Sequence, residues 1–287
     1  MLLVAAGISI GDAVVVERNS PGLVPSMKSD FINAYDPDLN FIATVGTFPL
    51  LRPPGGITFS PSGDLFLGEF CDPYPCAQIE RYALSGSATP FGPPLHDSLQ
   101  SMEFIASGDL IVLLSGEFGR FDAEGRWIGS TPLPEATLVF GFDVDRDQCT
   151  VVFAGLDKLG ITNICSESPA AELLPIFGNV YDVRFLPNGN LLAAAAGVVF
   201  ELDRRGTVVR RFLTSNEDSG EVALDPDGTS FRSTANNRLF RFDLITGDEI
   251  GQPAPLRNCA YGARSMAIRG EWRAAMHPAT RRRSVLR

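Results

Sequence analysis

Histidine and long apolar runs are what this sequence has least of. Two histidines in 287 residues leave few ways to build a zinc centre, and the Cys-x4-Cys spacing of Cys71 and Cys76 has no matching second pair. No stretch reaches the roughly eighteen consecutive apolar residues that a membrane-spanning helix needs. Residues 1–10 are apolar, but no basic region precedes them, so they are read as part of the fold and not as an export leader. The Gly-x-Ser-x-Gly, phosphate-loop and dinucleotide-binding fingerprints are missing too, which leaves no nucleophile elbow or nucleotide cradle in view. Helical patterning is scarce. The one candidate is residues 271–276, while 28 glycines and 21 prolines suit many turns.

Positive charge is also in short supply. A formal net charge of −10 disfavours association with nucleic acid or an anionic membrane surface. Arg281, Arg282, Arg283 and Arg287 form a short basic cluster with no aromatic platform beside it, and it reads as a solvated tail.

What the sequence does contain is a repeat, clearest in residues 179–214. There an apolar-rich run (182–186) meets Pro187-Asn188-Gly189, a strong hairpin-turn signal because Asn and Gly tolerate positive φ. Runs at 191–196, 198–202 and 207–213 supply three further strands, the last rich in β-branched residues. Taking Asp182 as an anchor, the same beat recurs at Gly56, Ser101, Gly141, Glu221 and, more weakly, Ser265. The third residue after each anchor is apolar: Phe59, Phe104, Val144, Phe185, Leu224 and Ile268. Gly63, Gly108, Gly189 and Gly228 each fall seven positions after their anchors, and only Gly141 and Ser265 lack that glycine.

The anchors lie 45, 40, 41, 39 and 44 residues apart, close to the ~40–45-residue period of a four-stranded propeller blade. A second marker, a short run ending in a turn, appears at 34–40, 81–86, 120–125, 163–168, 201–206 and 241–247. Six anchors and six markers predict an all-β, six-bladed β-propeller of four-stranded antiparallel blades. The ring has to close, because an open end leaves a bare strand edge and an unburied face. Residues 1–7, MLLVAAG, resemble 191–197, LLAAAAG, a second strand. Residues 265–268 would then return from the C-terminal end as the missing first strand of the first blade, with 8–30 as an insertion. The expected organisation is one propeller domain, residues 1–270, followed by an irregular basic tail, 271–287.

The five cysteines bear on compartment. Cys71 and Cys76 share a proline-tightened loop. If 151–154 and 161–164 pair as a hairpin around Asp157, Cys149 and Cys165 fall opposite each other, within reach of a disulfide. Cys259 stays single. Two candidate bridges lean toward an extracellular or periplasmic protein and leave the cytoplasm open.

The pattern of anchor strand, Pro/Ser-x-Gly turn, second strand and a marker such as RFDLITG resembles the NHL and SMP-30/gluconolactonase-like group of propellers, best in residues 185–206 and 224–247. The resemblance implies one of three activities: non-catalytic binding of protein or RNA, calcium-dependent lactone hydrolysis, or streptogramin-type cleavage by a lyase. The Glu-Gly-Pro segment expected of the lactonase branch is absent, Asn188-Gly189 falls after the inner strand, and there is no Trp-Asp dipeptide.

Propellers gather side chains from their first strands around one axis. Glu103, Asp143, Asp182 and Glu221 stand at or two beyond their anchors and form a candidate set for Ca2+, a hard cation that takes oxygen ligands. Arg184, able to pair with Asp182 or Glu221, offers those acids a structural use instead. His96, after Pro93-Pro94, is the candidate general base. The expected function is a non-catalytic propeller that binds a protein, glycan or small ligand on one rim. The alternatives are a calcium-dependent lactone or ester hydrolase and a lyase using His96.

Overall fold

The structure, a computed structural model, describes residues 8–17, 30–48, 54–69, 78–83, 87–133, 138–175, 178–214, 219–257 and 263–277. These residues form six four-stranded antiparallel sheets. The first strand of each is the innermost: Ala263–Ile268, Pro54–Phe59, Leu99–Phe104, Val139–Val144, Val180–Phe185 and Ser219–Leu224. Each inner strand contacts the inner strands of the blades before and after it, and Ser219–Leu224 meets Ala263–Ile268 to complete the circle. The chain is a closed six-bladed propeller.

The anchor spacing locates the five blades after the first. The turn glycines Gly63, Gly108, Gly189 and Gly228 have φ of +88°, +88°, +89° and +68°, a region that L side chains rarely adopt. In the fourth blade Gln148 takes this position with φ +60°. Asp147 makes up for the missing glycine, because its carboxylate accepts from the Cys149 and Thr150 amides and from the Thr150 hydroxyl.

Closure by the C-terminal strand is as expected, but its partner differs. Ala263–Ile268 pairs with Ala13–Glu17, Met266 opposite Val15, followed by Asp30–Tyr35 and Phe41–Phe48. Ala13–Glu17, expected within an insertion, is therefore the second strand. A second strand is covered on both faces, and all five residues of AVVVE are buried. Three consecutive valines fill that space with β-branched volume. Residues 1–7, the expected second strand, lie outside the described residues, as do Cys71, Cys76 and Cys259. A polar clamp reinforces the junction of the sixth and first blades. The fully buried Arg232 pairs with Asp225 at 2.9 Å and donates to the Gly11 and Asp36 carbonyls, while Arg241 joins Asp225 at 2.7 Å and donates to the Pro37 carbonyl.

Apolar side chains fill the spaces between blades. Phe66 of the second blade packs edge-on against Phe91 and against Phe104 of the third, at ring separations of 5.0 and 4.8 Å. The fourth blade carries the disulfide Cys149–Cys165, joining the strands Thr150–Gly155 and Lys158–Asn163 at their paired ends.

Candidate functional site

The channel is where the sequence-predicted acids meet, and the repeat shows how. Glu103 and Asp143, each two residues beyond its anchor, accept a hydrogen bond from the inner strand of the next blade. Glu103 Oε2 takes the Val144 amide at 3.2 Å, and Asp143 Oδ2 takes the Phe185 amide at 2.6 Å. The fifth blade breaks the series, since Arg184 stands at that place and cannot accept. The equivalent amide, Leu224 N–H, is met at 3.0 Å by Glu271, from beyond the last strand. Asp182, one turn of the pleat away, accepts from Val222 N–H at 3.1 Å. Gly141 makes room for it, because a Cβ there would stand 2.5 Å from Asp182 Oδ1.

Residues 269–277 thus form a plug across one end of the channel. Arg273 pairs with Glu271 at 2.8 Å and reaches Glu103 and Asp143 at 3.4 Å each. Arg184 pairs with Asp182 at 2.5 Å and with Glu271 at 3.3 Å. Trp272 packs over Gly228, stacks on His277 at 5.2 Å, and lies beneath the Arg146 guanidinium. Ala274–Met276 is one 3-10 turn, with Ala274 and Ala275 buried in the cores of the adjoining blades.

Five carboxyl groups here face two guanidinium groups. Burial, and then the charge of Asp143, push Glu103 well above the ordinary carboxylate range. Burial, and then Asp182, do the same to Glu221. Burial also raises Glu271, against the pull of Arg273 and Arg184. Burial lowers both arginines, but the surrounding acids outweigh it and hold each above its usual value. The network meets its shortage of positive charge by favouring protonated glutamates.

The donor set does not fit a calcium ion. Such an ion takes about six to eight oxygens around one point, whereas here Glu103, Asp143, Asp182 and Glu271 are engaged by strand amides and by two interposed guanidinium groups. Among the described residues no group of three or more His, Cys, Asp or Glu is arranged to hold a metal. One oxygen stands apart: Glu103 Oε1 is buried without a hydrogen-bond partner.

His96 is not brought to the channel. Its Nε2 lies 2.5 Å from Glu117 Oε1 and its ring is edge-on to Trp127, at the third and outer strands of the third blade, with the side chain 55% exposed.

At the end of the channel away from the plug, the inner strands share a feature that sequence reasoning missed. Register against the second strand shifts just before the anchor in the second to fifth blades, between Pro54/Gly56, Leu99/Ser101, Val139/Gly141 and Val180/Asp182. Bulges of this kind re-aim a side chain. The extra residues are Gly55, Gln100, Phe140 and Tyr181, and the last two stack at 5.9 Å. Leu138 and Leu156, joined by a backbone hydrogen bond, stand exposed beside them. Nothing in the sequence motif marks the bulge, because it depends on pairing with the neighbouring strand. Glu271 and Arg273 were missed as well. Their signal was the arginine at position 184 where the two preceding blades carry an acid.

With this geometry in place, the class of the molecule is a six-bladed propeller with a plugged channel, and comparison supports the fold. The nidogen/laminin complex includes a chain similar to this one at 12% identity and TM-score 0.66, over 90% of this chain and 98% of that one. A protein of unknown function from Bacteroides caccae matches at 11% identity and TM-score 0.66, over 91% and 100%. Virginiamycin B lyase from Staphylococcus aureus matches at 14% identity and TM-score 0.54, over 71% of each chain. At these identities the likeness concerns the fold alone. No family model matches the chain, and no curated protein does.

Proposed function

We propose that this chain is a non-catalytic, NHL-like binding propeller that holds a protein, glycan or small ligand on the rim formed by Leu138, Phe140, Leu156 and Tyr181. The observation that carries the reading is the commitment of Asp143, Asp182 and Glu271 to strand amides and arginines, which turns attention to the rim. Exposed leucines beside half-buried aromatic rings, gathered at one place, suit a protein partner best. A propeller from the nidogen/laminin complex, among the similar structures, is in keeping with this. The Cys149–Cys165 disulfide favours an extracellular or periplasmic setting.

The hydrolase reading has one observation in its favour, the carboxyl pair of Glu221 and Asp182, in which a raised glutamate stands beside a second acid. It would need a cation that the donor set does not accommodate. The lyase reading would need His96 near the axis, and its ring lies at the outer strands of the third blade.

A calcium titration and a lactone hydrolysis assay, each with and without chelator, separate these readings. The binding propeller is expected to show no calcium-dependent shift in melting temperature and no turnover. Chelator-sensitive turnover that is lost in Asp182→Asn would overturn it. A photo-crosslinker placed at Leu138 should then capture a partner whose yield falls at least tenfold in the double variant Phe140→Ser, Tyr181→Ser and is unchanged in Asp182→Asn.

A further inference from the structure

The plug seals the channel unevenly. It covers the fourth, fifth and sixth blades, and against the second and third it leaves a cavity of about 330 Å3. That volume is at the lower end of the ~300–1,000 Å3 typical of small-molecule sites. Phe59, Phe104, Ile268 and Met276 give the cavity apolar walls, and Thr58 and Glu103 lie among its polar lining. We propose that this cavity binds a neutral small molecule that presents a hydroxyl or amide group to Glu103 and an apolar body to Phe59, Phe104, Ile268 and Met276. This site is separate from the rim occupied in the binding reading above and does not depend on it.

Three observations select that chemistry. Glu103 is 1% exposed and lines the cavity, and no amide, hydroxyl or guanidinium among the described residues donates to its Oε1. Buried polar atoms are almost always satisfied, so an acceptor without a donor at a cavity wall suits a ligand that brings one. The charged groups around the cavity are already engaged: Arg273 with Glu271, Glu103 and Asp143, Glu271 with Arg184 and the Leu224 amide, and Arg269, by hydrogen bonding alone, with the Ile8 carbonyl. A cation would have to compete with Arg273 for Glu103 and Asp143, and an anion would have to draw Arg269 from the Ile8 carbonyl and approach Glu103, whereas a neutral group has only to meet Glu103. A hydroxyl or primary amide both donates and accepts, so it satisfies the carboxyl group in either protonation state. Burial and Asp143 bias that group toward the uncharged form, which suits a neutral partner further.

The test uses four probes of nearly one shape. Benzyl alcohol and benzamide are the neutral pair, and benzoate and benzylammonium the charged controls. Binding is followed on the whole chain by saturation-transfer NMR and by the methyl resonance of Met276, assigned among the five methionines by substitution. The neutral probes are expected to bind at least tenfold more tightly than either ion and to shift the Met276 methyl. Met276→Trp fills the cavity from its wall without touching Glu103, and Glu103→Leu removes the polar contact. Each should weaken neutral-probe binding at least tenfold, and the first should keep the melting temperature within about 2 °C of the parent, so that loss of binding is not loss of fold. Equal binding of neutral and charged probes, binding that survives Met276→Trp, or no binding at millimolar probe would each overturn the proposal, the last leaving Glu103 Oε1 to an ordered water.

Discussion

Arg184 stands where the two preceding blades carry an acid, and much of the channel follows from that one exchange. With no carboxylate to accept the Leu224 amide, the chain brings Glu271 back from beyond its last strand, and Arg184 holds it in place at 3.3 Å. Arg273 then balances Glu103, Asp143 and Glu271. Removing one partner of such a buried set leaves the others uncompensated, which typically costs about 3–5 kcal/mol. Arg273→Met is expected to lose that much in denaturant unfolding, whereas breaking an exposed, solvent-screened pair such as Arg126 with Asp122 should change stability little. Glu103 makes a second prediction, with a definite sign. Its folded value lies above its ordinary 4.5, so the folded chain keeps this proton after the unfolded chain has released it. The stability it contributes is complete below 4.5 and is lost as pH rises through the folded value. Glu103→Gln does not titrate. Its stability relative to the parent should therefore rise with pH above 4.5, by at most about 1.4 kcal/mol per pH unit. A flat difference between the two pH profiles would show that Glu103 ionises normally.

Among the elements, the hairpins were the most legible, since their turn chemistry is local. Pro187-Asn188-Gly189 and its counterparts mark where inner strands end, and Gly125, Gly206 and Gly247 mark the next turns at φ of +83°, +80° and +85°. The Cys149–Cys165 bridge was legible for the same reason, because the hairpin around Asp157, itself at φ +52°, brings the strand ends together. It closes a separation of 16 residues, and a loop of that size is worth about 3 kcal/mol in chain entropy. The double variant Cys149→Ser, Cys165→Ser should lower the melting temperature by several degrees. Added reductant should reproduce the loss in the parent and change nothing in the variant. The bulges at Gln100, Phe140 and Tyr181 were not legible, since a bulge is a mismatch between two strands and neither strand records it alone.

At the scale of the whole molecule, one strand and one clamp make a closed ring. Ala263–Ile268 lies between the inner strands of the second and sixth blades and pairs with Ala13–Glu17. Arg232 and Arg241 tie the sixth blade to carbonyls of the first. Deleting residues 263–287 should leave two inner strands without their neighbour and abolish cooperative unfolding by circular dichroism. A peptide spanning 263–277, added in trans, should restore it. A truncated chain that melts as sharply as the parent would show that the ring does not need this closure.

By itself the amino-acid sequence determined the number of blades, the position of nearly every turn, the return of the C-terminal strand and the disulfide of the fourth blade. The turns, the blade count and the disulfide depend on period, on turn residues and on pairing between neighbours in the chain, short-range chemistry written in consecutive letters, and the return of the C-terminal strand follows from the blade count because the ring has to close. Only the tertiary structure decided which segment pairs with the returning strand, that the candidate acids are held by Arg184 and Arg273, and that a cavity remains beside the plug. Those outcomes join residues as far apart as Glu103 and Arg273, whose distance depends on how six blades close around one axis, and no local pattern encodes that distance.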